Sequence, residues 1–146
     1  MPFCHLEIRA KKPRPEAYPR ELKTYGDHLR AKRLDLGFLQ GQVAAKIGVN
    51  ETTVYNWENN RVAPSVRLIP QIIQFLGYCP YTPGLPLSGK LKIWRQSLGF
   101  SQEKVATALG VDEGTWRRWE AGQRQPAPKY WGRINIFLDS PERVTR

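Results

Sequence analysis

The sequence predicts an all-α protein made of two tandem four-helix units joined by a proline-rich linker. One phrase of the chain occurs twice, apolar residues recur at helical spacing in both copies, and an uncharged, proline-broken stretch separates them. "GVNETTVYNWENN" at residues 48–60 returns as "GVDEGTWRRWEAG" at 110–122. A shift of 62 positions aligns Leu29 with Leu91, Arg33 with Arg95, Leu36 with Leu98, Gly37 with Gly99 and Gln40 with Gln102. Val43/Val105, Ala44/Ala106, Gly48/Gly110, Trp57/Trp119, Glu58/Glu120, Pro64/Pro126 and Ile72/Ile134 extend the match without a gap. A correspondence that long marks a duplicated structural unit.

The organisation follows from the repeat. Residues 1–27, with "KKPRPEAYPR", read as a basic, proline-containing N-terminal arm. Residues 28–76 form the first unit, 77–87 the linker, 88–140 the second unit and 141–146 a polar tail. The linker, "GYCPYTPGLPL", has three prolines and no charge. Proline fixes φ and lacks an amide donor, so this stretch reads as a stiff extended connector. Its Tyr78, Tyr81 and Leu85 are apolar enough to lie against a surface, which makes it a docked joint.

Within the first copy, residues 28–36 carry Leu29, Arg33 and Leu36 at helical spacing and stop at Gly37. Residues 40–47 align Val43, Ala44 and Ile47 along one stripe. Gly48 suits a left-handed turn after a helix end, and Val49 plugs the space beneath it. Asn50, or Asp112 in the second copy, is a good N-cap for a helix over 51–58 that turns Val54 and Trp57 inward. Pro64 breaks the chain before a last helix near 66–76. In the second copy Ser101 can cap the second helix; Leu39 cannot do so in the first. Small Ala44 and Ala106 let two helices cross closely at the angle a short turn imposes. A helix, a tight glycine turn and a capped helix together form a device that can push the second helix into a DNA major groove.

These residues carry a resemblance. "FSQEKVATALGVDEGTWRRWEAGQRQP" and "LQGQVAAKIGVNETTVYNWENNRVAP" resemble the helix-turn-helix of the Cro and phage-repressor-like (XRE) family of DNA-binding regulators. The resemblance implies that Gln40 and Gln102 open a helix whose start touches the phosphate backbone. It places Glu51, Thr52 and Asn56 at base-reading positions of the first copy, with Asn50 and Tyr55 alongside. Glu113, Gly114 and Arg118 take those positions in the second, with Asp112 and Arg117 alongside. Asn can pair bidentately with adenine, Arg with guanine, and a carboxylate can accept from cytosine. Arg61, Gln123 and Arg124, just past the reading helices, are candidate phosphate contacts. Arg33 with Glu58 and Arg95 with Glu120 are implied as ion pairs tying the first helix to the third. Two departures stand out: Gly114 has no side chain with which to read a base, and neither copy has the fifth helix that members commonly use to dimerise. The sequence therefore leaves self-association open.

Bulk properties agree. The 146 residues are 40% hydrophobic and 25% charged, as in ordinary soluble domains. No apolar run reaches the roughly 18 residues of a membrane span, and the N-terminus has no signal-like apolar segment. Cys4 and Cys79 form no disulfide framework, which favours a reducing, cytoplasmic setting at the nucleoid. Of the net charge of +10, residues 28–76 carry +3 and 88–140 carry +4, so the excess lies in the folded body and favours double-stranded DNA as partner.

Trp57 and Trp119 are expected as core anchors, while Trp94, Trp116 and Trp131 occur only in the second copy and are candidates for the contact between copies. Cys4, His5, His28 and Cys79 fit no familiar zinc spacing, so no metal is expected. No phosphate loop and no nucleophile–His–acid set is evident, so neither an enzyme nor a cofactor is expected. "AKKPRP" either threads a minor groove or is a solvated lead-in. Besides a transcription regulator, two other readings keep the same fold: an adaptor or antitoxin-like partner of another protein, and an accessory factor in recombination or excision.

Overall fold

The computed structural model describes residues 17–80 and 84–139, and among these the chain is helix and loop without a strand. The first half contains α1 (Tyr25–Leu36), α2 (Gln40–Ile47), α3 (Glu51–Glu58) and α4 (Ile69–Leu76), with a 3-10 turn at Val66–Leu68 leading into α4. The second half contains α5 (Leu87–Ser97), α6 (Gln102–Leu109), α7 (Glu113–Glu120) and α8 (Pro128–Asp139). The residues Cys4, His5, "AKKPRP", Tyr81 and 141–146, on which several sequence expectations rest, lie outside the described residues.

Each half encloses its own core. Leu29, Val43, Ala44, Ile47, Val54, Trp57, Ile72 and Leu76 fill the first. Leu91, Phe100, Val105, Ala106, Leu109, Trp116, Trp119 and Ile134 fill the second. The two sets correspond almost position for position under the repeat, with Trp116 where the first half has Val54. In both, the second helix runs into the third through a glycine held in the left-handed region, Gly48 at φ 88° and Gly110 at φ 68°. A Cβ there would strain the turn. Buried Ala44 and Ala106 keep the crossing close.

Three expectations need correction. α1 begins at Tyr25 rather than 28, because Thr24 and Asp27 form a capping box: the Asp27 amide donates to Thr24 Oγ1, and the Thr24 amide donates to Asp27 Oδ2. The last helix of the first half starts α-helical only at Ile69, with Pro70 in its first turn, where a missing amide hydrogen does no harm. Trp116 does not lie at the contact between copies; it is fully buried within the second core, and Trp94 packs against that same core.

The joint is docked. Tyr78 Oη lies 2.8 Å from His28 Nδ1, with the two rings edge to face at 5.6 Å, so the chain leaving α4 is tied back onto α1. The halves meet where α4 packs on α5. A methyl added at Gly99 would lie 3.0 Å from Pro70 Cγ and 3.5 Å from the Val66 carbonyl, so the turn after α5 sits directly on the start of α4. The third helix of each half packs elsewhere, α3 on α1 and α2, and α7 on α5 and α6.

The start of α1 also crosses the end of α3 at backbone contact. A Cβ at Gly26 would overlap the Trp57 carbonyl, whereas one at Gly132, on the outer side of α8, would meet nothing within 4 Å. Gly26→Ala is expected to destabilise the first half by about 1–3 kcal/mol through overpacking. Gly132→Ala is expected to stabilise the second by roughly 0.5–1 kcal/mol through helix propensity. Urea unfolding followed by circular dichroism separates the two signs.

Candidate nucleic-acid interface

α3 and α7 are each fixed from beneath by a repeated ion pair. Arg33 Nε donates to Glu58 Oε1 at 2.6 Å and Nη2 to Oε2 at 2.8 Å, while Nη1 reaches the Phe38 carbonyl at 3.1 Å. Arg95 repeats this on Glu120 at 2.5 and 3.1 Å and on the Phe100 carbonyl at 2.7 Å. Bidentate geometry and burial of both carboxylates lock the first helix of each half to the third. Among the described residues, a second clamp is seen in the first half alone. Asn60, in the left-handed region at φ 55°, donates to Asp27 Oδ1 at 2.9 Å, and its Oδ1 accepts from the Thr24 hydroxyl at 2.7 Å.

Gln40 and Gln102 join the same network, which the sequence did not reveal. Their Nε2 atoms donate to Glu58 Oε2 at 2.9 Å and Glu120 Oε2 at 2.8 Å. One amide hydrogen of each is thereby committed inward. Trp116 adds a donor peculiar to the second half, its Nε1 lying 2.7 Å from Glu120 Oε1. Burial alone would push the Glu120 carboxyl up. Hydrogen bonds from Arg95, Gln102 and Trp116, with the charge of Arg95, outweigh that and hold it below its ordinary range.

On the outer side of α3, Glu51, Thr52 and Tyr55 are exposed and Asn56 is half-buried. Asn50 caps the helix through Oδ1, which accepts from the Thr53 amide at 2.8 Å and the Thr53 hydroxyl at 2.7 Å. The cap uses only the oxygen, so the Asn50 NH2 group retains its donors. Glu51 folds back over α2, its Oε2 3.5 Å from where a Cβ of Gly41 would stand. The Arg61 guanidinium lies over the Tyr55 ring at 5.1 Å.

On α7, Arg117 and Arg118 are exposed. Arg117 pairs with Glu113 one turn back at 3.0 Å, so this carboxylate orients a guanidinium within its own helix. Asp112 caps through Oδ2 to the Thr115 amide at 3.2 Å. That carboxylate would lie 2.8 Å from a Cβ at Gly114, so at position 114 the helix presents backbone alone. Past α3 and α7 the chain folds back in the same way: the Arg61 amide donates to the Asn56 carbonyl at 2.9 Å and the Gln123 amide to the Arg118 carbonyl at 3.0 Å. Arg61, Gln123 and Arg124 are exposed beside the helix ends.

The second helices start differently. Ser101 Oγ accepts from the Lys104 amide at 3.1 Å, a true N-cap. Leu39 has no such oxygen; its own amide instead donates to Gln42 Oε1 at 2.8 Å, and its side chain is 72% exposed. Lys104, whose ammonium lies 4.0 Å from the Phe100 ring centroid, is a further exposed cation at this edge that the repeat did not single out, because its counterpart is Gln42.

The lowered Glu120 value sets a sign for acid sensitivity. The ionised carboxylate contributes stability above its ordinary value of 4.5, and the contribution is lost as pH falls through the depressed folded value. Glu120→Gln is expected to cost about 3–5 kcal/mol at neutral pH by stranding the Arg95 charge, and to remove that part of the acid sensitivity. Urea unfolding titrated from neutral pH into acid measures both.

Comparison with known proteins agrees with this geometry. A helix-turn-helix family matches residues 29–82 and a helix-turn-helix domain family matches residues 86–139. A protein of Pyrobaculum aerophilum, named as an HTH-type transcriptional regulatory protein, is 26% identical over 121 residues, 83% of this chain. The match covers 44% of that relative's length. No solved structure matches the chain significantly. No helix among the described residues is long and apolar enough to cross a membrane. With both halves matched and both built on the same buried scaffold, the chain belongs to the helix-turn-helix proteins and carries two such domains in tandem, the first of the Cro and phage-repressor-like (XRE) type.

Proposed function

We propose that the protein binds double-stranded DNA in a sequence-specific manner and regulates transcription at the nucleoid, inserting α3 and α7 into two major-groove segments. The observation that carries this reading is the pair of outward faces on α3 and α7. Each is accessible, each is braced from beneath by its own ion pair, and each carries a different set of hydrogen-bonding groups. The relative from Pyrobaculum aerophilum, named a transcriptional regulatory protein, supports the regulatory part.

In this reading Asn56 and Arg118 are the principal base readers, suited to adenine and guanine respectively. Asn50, Glu51, Thr52 and Tyr55 flank the first. Asp112, Glu113, Gly114 and Arg117 flank the second, where Gly114 permits close backbone approach. The free amide hydrogens of Gln40 and Gln102, with Arg61, Gln123 and Arg124, grip phosphates and set register. Because the two sets differ, the site consists of two dissimilar halves rather than a palindrome.

Selection of bound duplexes from a random pool is expected to return one asymmetric site. Asn56→Ala and Arg118→Ala should relax preference at separate positions, each at a cost of about 1–3 kcal/mol. With roughly 6–10 phosphate contacts, affinity should fall about 10³–10⁵-fold between about 50 and 200 mM salt. Equal preference of both heads for one sequence, or retention of duplexes without any preference, would count against the proposal.

A further inference from the structure

The contact between the halves is one-directional, and the repeat supplies its missing counterparts. The start of α4 docks on the turn that ends α5: Pro70 lies against Gly99, and neighbouring Ile69 is 3% exposed although it belongs to neither core. Under the repeat, the docking residues Ile69 and Pro70 correspond to Trp131 and Gly132 on α8, and the receiving Gly99 corresponds to Gly37 at the end of α1, next to Leu36.

Among the described residues nothing sits on either counterpart. A Cβ at Gly37 or at Gly132 would meet nothing within 4 Å, so α8 does not close back on α1 within the chain. Ile136 is 54% and Leu36 46% exposed. Beside Leu36 a cavity of about 420 Å³ opens, walled by Phe38, Gln71, Gln74 and Phe75 with Lys46 at its edge. Gly132, Asn135 and Ile136 are exposed and share one side of α8, turned away from the side that sends Ile134 into the core, with half-buried Trp131 at its border.

We propose that the protein associates with itself head to tail, the outer side of α8 in one chain seated on the end of α1 in the next. The occupant is a second copy because the chain already makes this contact once, between its own halves, with residues at the same repeat positions. Such a contact is heterologous, so it leaves a free docking side and a free receiving side at the two ends of every assembly. Lys46 on one side meets Lys129 beside the other. The association is therefore driven by apolar burial against like charge, and salt should strengthen it.

The test needs no DNA, so its outcome is independent of the regulatory reading. Sedimentation of the full chain at rising concentration is expected to show an average mass that climbs beyond the dimer, more readily at higher salt. Leu36→Glu and Ile136→Glu are each expected to give monomers with unchanged thermal melting. Mixed together, these two variants should recover a one-to-one dimer and nothing larger, because each retains the side the other has lost. Should Ile136→Glu alter the melting, Gly132→Arg blocks the same side from open space. A mass independent of concentration, a closed dimer indifferent to the substitutions, or a mixture that stays monomeric would overturn the proposal.

Discussion

A carboxylate gripped by two guanidinium nitrogens, made once in each half, is the interaction on which the rest of the molecule depends. The third helix of each half has only eight residues, too few to be stable alone in water. Apolar packing of Val54 and Trp57, or of Trp116 and Trp119, seals its inner side but leaves its rotation loosely specified. The ion pair supplies direction. By fastening Glu58 or Glu120 at the last turn to Arg33 or Arg95 on the first helix, it fixes which residues face out. The guanidinium also takes the carbonyl of Phe38 or Phe100, so the turn into the second helix is held by the same group. Removing one partner would strand a buried charge, which makes this junction the most sensitive polar site in each half.

Much of the fold was legible because the chain writes its scaffold twice. A position occupied by Leu, Val, Ala, Ile or Trp at both Leu29/Leu91 and Trp57/Trp119 is under the same packing demand in two places, and the eight-residue cores bear that out. Asn50, Asp112 and Ser101 announced their caps through side-chain chemistry alone. Val54/Trp116 was harder to read. A tryptophan present in only one copy invites assignment to a surface, yet Trp116 is accommodated because its indole nitrogen finds Glu120, whose buried oxygen accepts it. The early start of α1 was also obscured, since Thr24 and Asp27 have no counterpart in the second half, where Pro86 precedes the helix.

The candidate site was less legible than the fold, for a physical reason. Sequence spacing says which residues share the outer side of a helix, but not what those residues bond to among themselves. Glu113 is engaged with Arg117, Glu51 leans over Gly41, and Asp112 fills the space beside Gly114. These contacts convert a row of apparently equivalent polar residues into a few free donors and several intramolecular pairs. The halves thus differ in more than the letters at their outward positions. The first presents an amide, a hydroxyl and a tyrosine shielded by Arg61; the second presents two arginines, one of them already oriented.

The shared hydrogen bonding of Gln40 and Gln102 has a consequence of its own. Each amide stands with one hydrogen on the carboxylate that anchors the helices and carries a second on the same nitrogen. Anything that held that second hydrogen would also restrain the first, so an anion bound there and the cohesion of the domain would draw on common atoms. Linkage makes that reciprocal: an occupied chain should open more reluctantly at this junction than a vacant one, and a loosened junction should weaken the grip.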